Sequence, residues 1–143
     1  MKTYRNLFNK LIEPENLFHA WEEFRRDKKK KDDVILFEKT LESEIFRLHR
    51  ELASETYKHS GYTSFFISDP KKRHIHKAIV RDRVLHHAIM GTLYPLYDKI
   101  FIHNSFSCRV GKGTHKGVEA LRTMLLKESR NNTRTVYILK CDI

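Results

Sequence analysis

Three consecutive cations at positions 71 to 73 are the first residues in this chain whose spacing suggests chemistry. Lys71, Lys72 and Arg73 follow Asp69-Pro70, a pair that favours a tight turn because proline fixes φ at the second turn position. Lysine supplies a mobile point charge and arginine a bidentate fork, so together they suit a phosphate group. The run predicts a triphosphate-binding turn, and the alternative is a polar turn that contacts only solvent.

A second basic run stands at Arg81-Asp82-Arg83. Asp82 is a residue type that caps helix starts, which predicts a helix beginning here. Arg81 and Arg83 can pair with phosphates, and Arg83 can instead pair with a carboxylate elsewhere in the fold. The residue types are compatible with both interpretations.

A block with two glycines runs from Ser105 to His115 and carries the cations Arg109 and Lys112. Gly111 and Gly113 predict a turn before a helix. The block lacks the G-x-x-x-x-G-K-[ST] spacing and does not follow a clean strand. A P-loop is therefore a poor interpretation of it.

Asp142 ends an apolar run over 135–142 that is typical of a strand buried on both faces. A buried carboxylate is costly unless it binds a cation or caps another group. Carboxylate oxygens are ligands that Mg²⁺ prefers, so Asp142 is a candidate metal ligand. The alternative is that Asp142 simply ends the strand at a turn.

The histidines and cysteines give weaker signals. His74 and His76 would share one face of a strand, and His86 and His87 are neighbours on a helix. Two-residue spacing permits half of a metal site, but no third ligand converges on it, so polar packing or RNA contact is favoured. The two cysteines are far apart, which predicts reduced thiols and no zinc site.

The N-terminal half is predicted to be mostly helical. A helix over 14–28 presents Leu17, Phe18, Trp21 and Phe24 on one face. Asp32 or Asp33 is expected to cap a long second helix, because apolar residues then step by three and four. Its stripe consists of Val34, Phe37, Leu41, Ile45, Leu48 and Leu52. Strands over 62–68 and 73–79 would form a β-hairpin with Pro70-Lys71-Lys72 at its tip.

Helices and one strand are predicted after the hairpin. The helix beginning at Asp82 should turn Val84, Leu85, Ala88, Ile89 and Leu93 inward. An irregular or β segment over 101–109 precedes a helix capped by Thr114, which carries Val118, Leu121 and Leu125. Asn131-Asn132 breaks that helix before the strand at 135–142. The predicted class is α+β, with residues 1–143 as a single region.

The charge of the chain points to a polyanionic partner. Lys and Arg number 28 against 18 Asp and Glu, a formal net charge of +10. The run Lys28-Lys29-Lys30-Lys31 is either a solvated loop or a phosphate-backbone contact. No apolar run approaches a membrane span and the N-terminus does not resemble a secretory signal, so we expect a cytoplasmic protein without a membrane partner.

The order of these motifs resembles the N-terminal part of a reverse transcriptase of the bacterial retroelement or group II intron-like type. The resemblance covers roughly residues 15–143 and rests on four blocks. They are the basic hairpin, Arg81-Asp82-Arg83-Val84, Cys108-Arg109-Val110-Gly111-Lys112-Gly113-Thr114-His115, and the strand-end Asp142. The third block looks closer to diversity-generating retroelements than to group II introns.

The resemblance implies the fingers and first palm strand of an RNA-directed DNA polymerase, a nucleotidyltransferase. Lys71, Lys72 and Arg73 would bind the incoming dNTP, and Arg81, Arg83, Arg109 and Lys112 would contact the template. Asp142 would be catalytic and, with the backbone carbonyl of Ile143, would bind Mg²⁺, of which the full-length enzyme holds two ions. Partners would be an RNA template, a DNA or RNA primer and dNTP, with a retroelement accessory protein as a further candidate.

The same resemblance sets an expectation for activity. The hydrophobic-x-Asp-Asp motif that supplies the remaining metal ligands in the family does not occur in the 143 residues. We therefore expect the chain to be an N-terminal piece that is inactive alone. The alternatives are a non-catalytic basic RNA-binding module, and a degenerate polymerase fold with an interaction or antiphage role.

Overall fold

The computed structural model describes residues 3–141 of the chain. Its contacts divide the chain into two compact units, Met1–Leu96 and Tyr97–Ile143. The part described contains six α-helices and one two-stranded antiparallel hairpin, which confirms the α+β class. The single region 1–143 inferred from the sequence remains a prediction.

Four helices form most of the first unit: α1 (Leu7–Ile12), α2 (Pro14–Arg25), α3 (Asp32–Glu38) and α4 (Leu41–Ala53). Pro14 occupies the first turn of α2, where its missing N–H costs nothing, and Glu15 favours the positive end of the helix dipole. The predicted apolar face of α2 packs into the core. Among these four helices, the most deeply buried large side chains are Leu17, Trp21, Phe24, Val34, Ile45 and Leu48.

The long helix predicted after Asp32 is wrong as a continuous element. It is interrupted at Lys39-Thr40, and the residue that caps α3 is Lys31 rather than Asp32 or Asp33. The Ser43 hydroxyl donates to the Thr40 carbonyl at 2.8 Å, so a side chain takes part in the hydrogen bonding of the break. The apolar stripe nevertheless stays on one face. Spacing by three and four residues determines which face is apolar, but it does not determine whether the helix is continuous.

The hairpin is confirmed. β1 (Tyr62–Ser68) pairs with β2 (Lys72–Ala78), with Ser68 opposite Lys72 and Tyr62 opposite Ala78. Aromatic and β-branched residues favour these strands, and Asp69-Pro70 supplies the turn. Because directly opposite residues point to the same side of the sheet, the register shows which side chains share each of the two faces of the hairpin.

The helix α5 (Val80–Tyr97) follows the hairpin directly. Val84, Leu85 and Ala88 are buried as predicted, but Ile89 is exposed. Asp82 does not cap the helix, since it lies inside the first turn with its side chain fully buried. Its carboxylate instead accepts hydrogen bonds from the segment before β1.

The second unit is an irregular segment followed by α6 (Thr114–Glu128). Gly113 is the residue before the helix, with φ of 96°, and Thr114 is its first helical residue rather than its cap. Val118 and Leu121 are exposed, and no residue of α6 is buried, so the predicted apolar face is not a core face. The predicted break is confirmed, because Asn131 and Asn132 both have positive φ.

The strand predicted over 135–142 is not formed in its described part, residues 135–141. Tyr137 and Leu139 are 93% and 87% exposed, not buried on two faces. A strand needs a neighbour to pair its backbone groups, and the only sheet among residues 3–141 consists of β1 and β2. Asp142 and Ile143, the predicted metal ligands, lie outside the described residues.

Candidate functional site

The hairpin tip brings Lys71, Lys72 and Arg73 together in an exposed position. The Lys72 ammonium lies 4.6 Å from the centre of the Phe66 ring, on one face of the hairpin. Arg73 is opposite Ile67 in the register and therefore projects from the other face. Neither the side chain of Lys71 nor that of Arg73 makes a hydrogen bond or ion pair with any residue from 3 to 141. The tip thus presents cations that an anion can reach from both sides.

Arg81 is held inside the first unit. Its side chain is 9% exposed, and Nη1 donates to both carboxylate oxygens of Glu51 at 3.0 and 2.8 Å. Its Nε lies 3.9 Å from Oδ1 of Asp82. The guanidinium therefore links α4 to α5, and the predicted template contact of Arg81 stays a prediction that would require this pair to open.

Of the two partners that the sequence allows for Arg83, a phosphate or a carboxylate of the fold, the structure shows the carboxylate. Its Nη2 donates to Oδ2 of Asp33 at 2.5 Å, and the guanidinium lies 4.9 Å from the centre of the Phe24 ring. Lys77 of β2 shares the same oxygen at 2.6 Å. Burial favours the neutral acid, but hydrogen bonds from Lys77 and Arg83 outweigh it and hold the pKa of Asp33 below its ordinary value.

The buried carboxylate of Asp82 fixes the segment that leads into β1. Oδ1 accepts from the Tyr57 hydroxyl and Oδ2 from the Ser60 backbone N–H, both at 2.9 Å. Burial and the bond to Asp82 raise the pKa of Tyr57 to about 12. No sequence pattern predicts these roles of Tyr57 and Ser60, because both residues lie in a stretch without periodicity.

Arg109 organises the irregular segment of the second unit. Nε donates to Oδ1 of Asp98 at 2.7 Å and Nη2 to the Asp98 carbonyl at 2.9 Å. Nη1 reaches the carbonyls of Ile102 and Ser105 at 3.3 and 3.2 Å. These contacts close residues 98–109 around one guanidinium, so the predicted template role of Arg109 also competes with a structural one.

Lys112 is similarly engaged within the second unit. Its ammonium donates to the His103 carbonyl and lies 5.2 Å from the centre of the Phe106 ring. That ring packs close to Gly117 of α6, where an added Cβ would lie 3.4 Å from Phe106 atoms. The predicted template contact of Lys112 stays a prediction.

A row of rings, which we call the ring face, covers one side of the hairpin and its base. Successive ring centres are 5.5, 4.9, 6.4, 4.3 and 4.5 Å apart. The rings are, in order, His86, His59, Tyr62, His76, His74 and Phe66. The prediction that His74 and His76 share a face is confirmed. The other members come from three different segments, and no sequence pattern predicts that they join these two histidines.

Neither a metal cluster nor a membrane-spanning helix occurs in the described part of the chain. Among residues 3–141, no three His, Cys, Asp or Glu side chains are arranged so that they could hold a metal ion. In the same range, no helix combines the length and apolar character that a bilayer crossing requires. The predicted Mg²⁺ ligands lie outside this range.

The chain matches no protein-family model, and no curated protein matches it.

Proposed function

We propose that this chain is the fingers-type, N-terminal part of an RNA-directed DNA polymerase, and that its hairpin tip binds the triphosphate of the incoming nucleotide. The observation that carries the proposal is the unpaired state of Lys71 and Arg73 within residues 3–141, at the exposed tip of a well-formed hairpin. An arginine without an internal partner keeps its bidentate fork available for a phosphate.

The other basic residues of the resemblance are less available. Arg81 and Arg83 would have to leave Glu51 and Asp33 before they could bind a phosphate. Breaking a partly buried ion pair removes a partner from the carboxylate, which is costly, although Asp33 would keep its contact with Lys77. We therefore assign nucleotide contact to the tip, and to Arg81 and Arg83 the task of holding α5 against α3 and α4.

Magnesium does not fit the described residues, because no three His, Cys, Asp or Glu side chains among them are arranged so that they could hold a metal ion. Two-metal nucleotidyl transfer needs carboxylates that bind both ions. Asp142 remains the proposed first ligand, and further carboxylates are required from outside residues 3–141. We derive no catalytic step from the described residues.

The test is primer extension on an RNA template by the protein expressed from its natural gene. Arg73→Ala should lower kcat/KM for dNTP about ten-fold or more, since a charge-assisted contact is worth about 1.5–3 kcal/mol. Arg50→Ala is the matched control, because Arg50 is an exposed arginine of the same unit. Asp142→Asn should abolish extension and leave RNA binding intact.

Two outcomes would contradict these assignments. If Arg73→Ala weakens RNA binding and spares the KM for dNTP, the tip holds the template instead. If Asp142→Asn retains ordinary extension activity, Asp142 is not the catalytic aspartate and the polymerase proposal fails.

The second candidate is a basic RNA-binding module without catalysis, and a second cluster of cations favours it. Five of the six residues from Arg26 to Lys31 are Lys or Arg, in a turn after α2. Such a module would bind RNA with a salt slope near −0.7 per neutralised phosphate of a single strand. Steeply salt-dependent RNA binding by a natural protein that never extends a primer would favour this candidate.

A further inference from the structure

The ring face has the properties of a surface for stacking bases. All six of its residues are exposed, and Tyr62 and Phe66 are exposed by 59% and 60%. Three neighbouring pairs are stacked, His86 on His59, His59 on Tyr62 and Phe66 on His74, with interplanar angles of 16°, 28° and 14°. Exposed rings in a row are what proteins offer to unpaired bases, since every base has a π-face.

The charge of this surface fits a nucleic acid. Neither strand contains Asp or Glu, and Lys72 stands at one end of the row, over the Phe66 ring. Four of the six rings are histidines, and histidine is the side chain that gains charge between pH 8 and pH 5. Each imidazole of the ring face that binds a proton adds one positive charge to this surface.

We propose that the ring face binds an unpaired RNA segment by base stacking, and that protonation of its histidines strengthens this binding. The inference rests on the RNA partner in the proposed function but needs neither catalysis nor nucleotide binding. It assigns the face opposite to Arg73 a role separate from that of the tip.

The charged groups around these histidines differ along the row. Nδ1 of His59 lies 3.7 Å from Oδ2 of Asp82, and Nε of the buried Arg81 lies 3.9 Å from the other oxygen of the same carboxylate. His86 lies beside His59 and next to His87 on α5. The pKa of His87 is lowered by burial and by the charge of Lys28. Among residues 3–141, no Asp or Glu side chain forms an ion pair with the hairpin histidines, His74 and His76, and Lys72 stands at the tip end of their face. A phosphate is thus the available counterion for His74 and His76.

The first experiment uses the 143-residue chain and a fluorescent 12-nucleotide oligouridine, with a duplex RNA of equal length for comparison. Phe66→Leu should weaken oligouridine binding about ten-fold, which is about 1.4 kcal/mol. Phe65→Leu is the matched control, because Phe65 is the neighbouring residue of β1, is 44% exposed, and projects from the opposite face. Tyr62→Leu provides a second ring-face variant should Phe66→Leu not fold.

The second experiment compares binding at pH 8 and pH 6. Wild-type affinity for oligouridine should rise about ten-fold on acidification, since one charge-assisted contact is worth at least that factor. The double change His74→Asn and His76→Asn should remove most of the rise. The control is His19→Asn with His115→Asn, two exposed histidines outside the ring face, which should leave the rise unchanged.

Several outcomes would overturn the inference. Equal losses for Phe65→Leu and Phe66→Leu, binding of duplex RNA as tight as that of oligouridine, or a rise on acidification that survives removal of His74 and His76 would each do so. If tip variants impair primer extension but Phe66→Leu leaves RNA binding intact, the ring-face proposal is refuted and the polymerase proposal is not. A natural protein that never extends a primer but shows the ring-face effects would refute only the polymerase proposal.

Discussion

Removing the buried carboxylate of Asp82 should be among the most destabilising single changes in the first unit. The Asp82 side chain is fully buried and accepts hydrogen bonds from the Tyr57 hydroxyl and the Ser60 N–H, both at 2.9 Å. Asp82→Ala leaves both donors without an acceptor and leaves Arg81 with one anionic neighbour, Glu51. Bonds to a charged group are worth about 1.5–3 kcal/mol each.

Two such bonds predict a loss of about 3–6 kcal/mol in the free energy of unfolding, which overlaps the loss of about 3–5 kcal/mol that is typical of breaking a buried ion pair from one side. Tyr57→Phe removes one bond and should cost about 1.5–3 kcal/mol. Because both changes act on one network, the double variant should lose less than the sum, with a coupling of about 0.5–3 kcal/mol.

The assay is urea denaturation followed by the fluorescence of Trp21, the single tryptophan of the chain, which is 1% exposed in the core of this unit. Glu42→Ala on α4 is the control, as an exposed carboxylate whose loss should change stability by no more than about 0.5 kcal/mol. A loss below about 1 kcal/mol for Asp82→Ala, or strict additivity with Tyr57→Phe, would refute the claim that this carboxylate holds the segment before β1.

Four further outcomes follow from the same contacts. The pKa of Tyr57 is raised to about 12 from an ordinary value of 10.0, so its contribution to the free energy of unfolding is complete below pH 10 and is lost as pH rises towards 12. The free energies of unfolding of wild type and Tyr57→Phe should therefore become equal near that pH. The pKa of Asp33 lies below its ordinary 3.8, so its stabilisation is present above about pH 4 and disappears in stronger acid, a slope that Asp33→Asn should reduce. Arg109→Lys should speed proteolysis within 98–112 in limited digestion, since lysine cannot reproduce the four contacts of the guanidinium, whereas Arg122→Lys should not. The 143-residue chain alone should give no Mg²⁺-dependent extension of a primed RNA template, and extension after removal of contaminating polymerase would contradict this.

The elements that the sequence predicts well are those determined by neighbouring residues. The hairpin follows from aromatic and β-branched runs on both sides of Asp69-Pro70, and its register then places His74 and His76 on one face. Likewise, the core face of α2 follows from residues three and four apart. In each case the information lies within about one turn or one strand pair.

The interactions that the sequence does not predict join distant residues. Arg83 finds Asp33 across 50 positions, and Arg81 finds Glu51 across 30. No local pattern distinguishes an arginine with such a partner from one that faces solvent. For the same reason Asp82 looked like a helix cap, because its real donors, Tyr57 and Ser60, are 25 and 22 residues away. The strand expected at 135–142 failed for a related reason, since an apolar run alone does not supply a pairing neighbour.

Whether a cation already has a partner within the fold decides whether it is available to bind a polyanion. The net charge of +10 says that anions are attracted, but not which cations can contact them. Arg81, Arg83 and Arg109 already satisfy carboxylates of their own unit, so their substitution should first reduce stability. Arg73 and Lys71 satisfy none among residues 3–141, so their substitution should change binding and leave the fold intact. If Arg81→Ala impaired RNA binding without any loss of stability, its pair with Glu51 would be too weak to occupy it, and this division between structural and binding cations would be wrong.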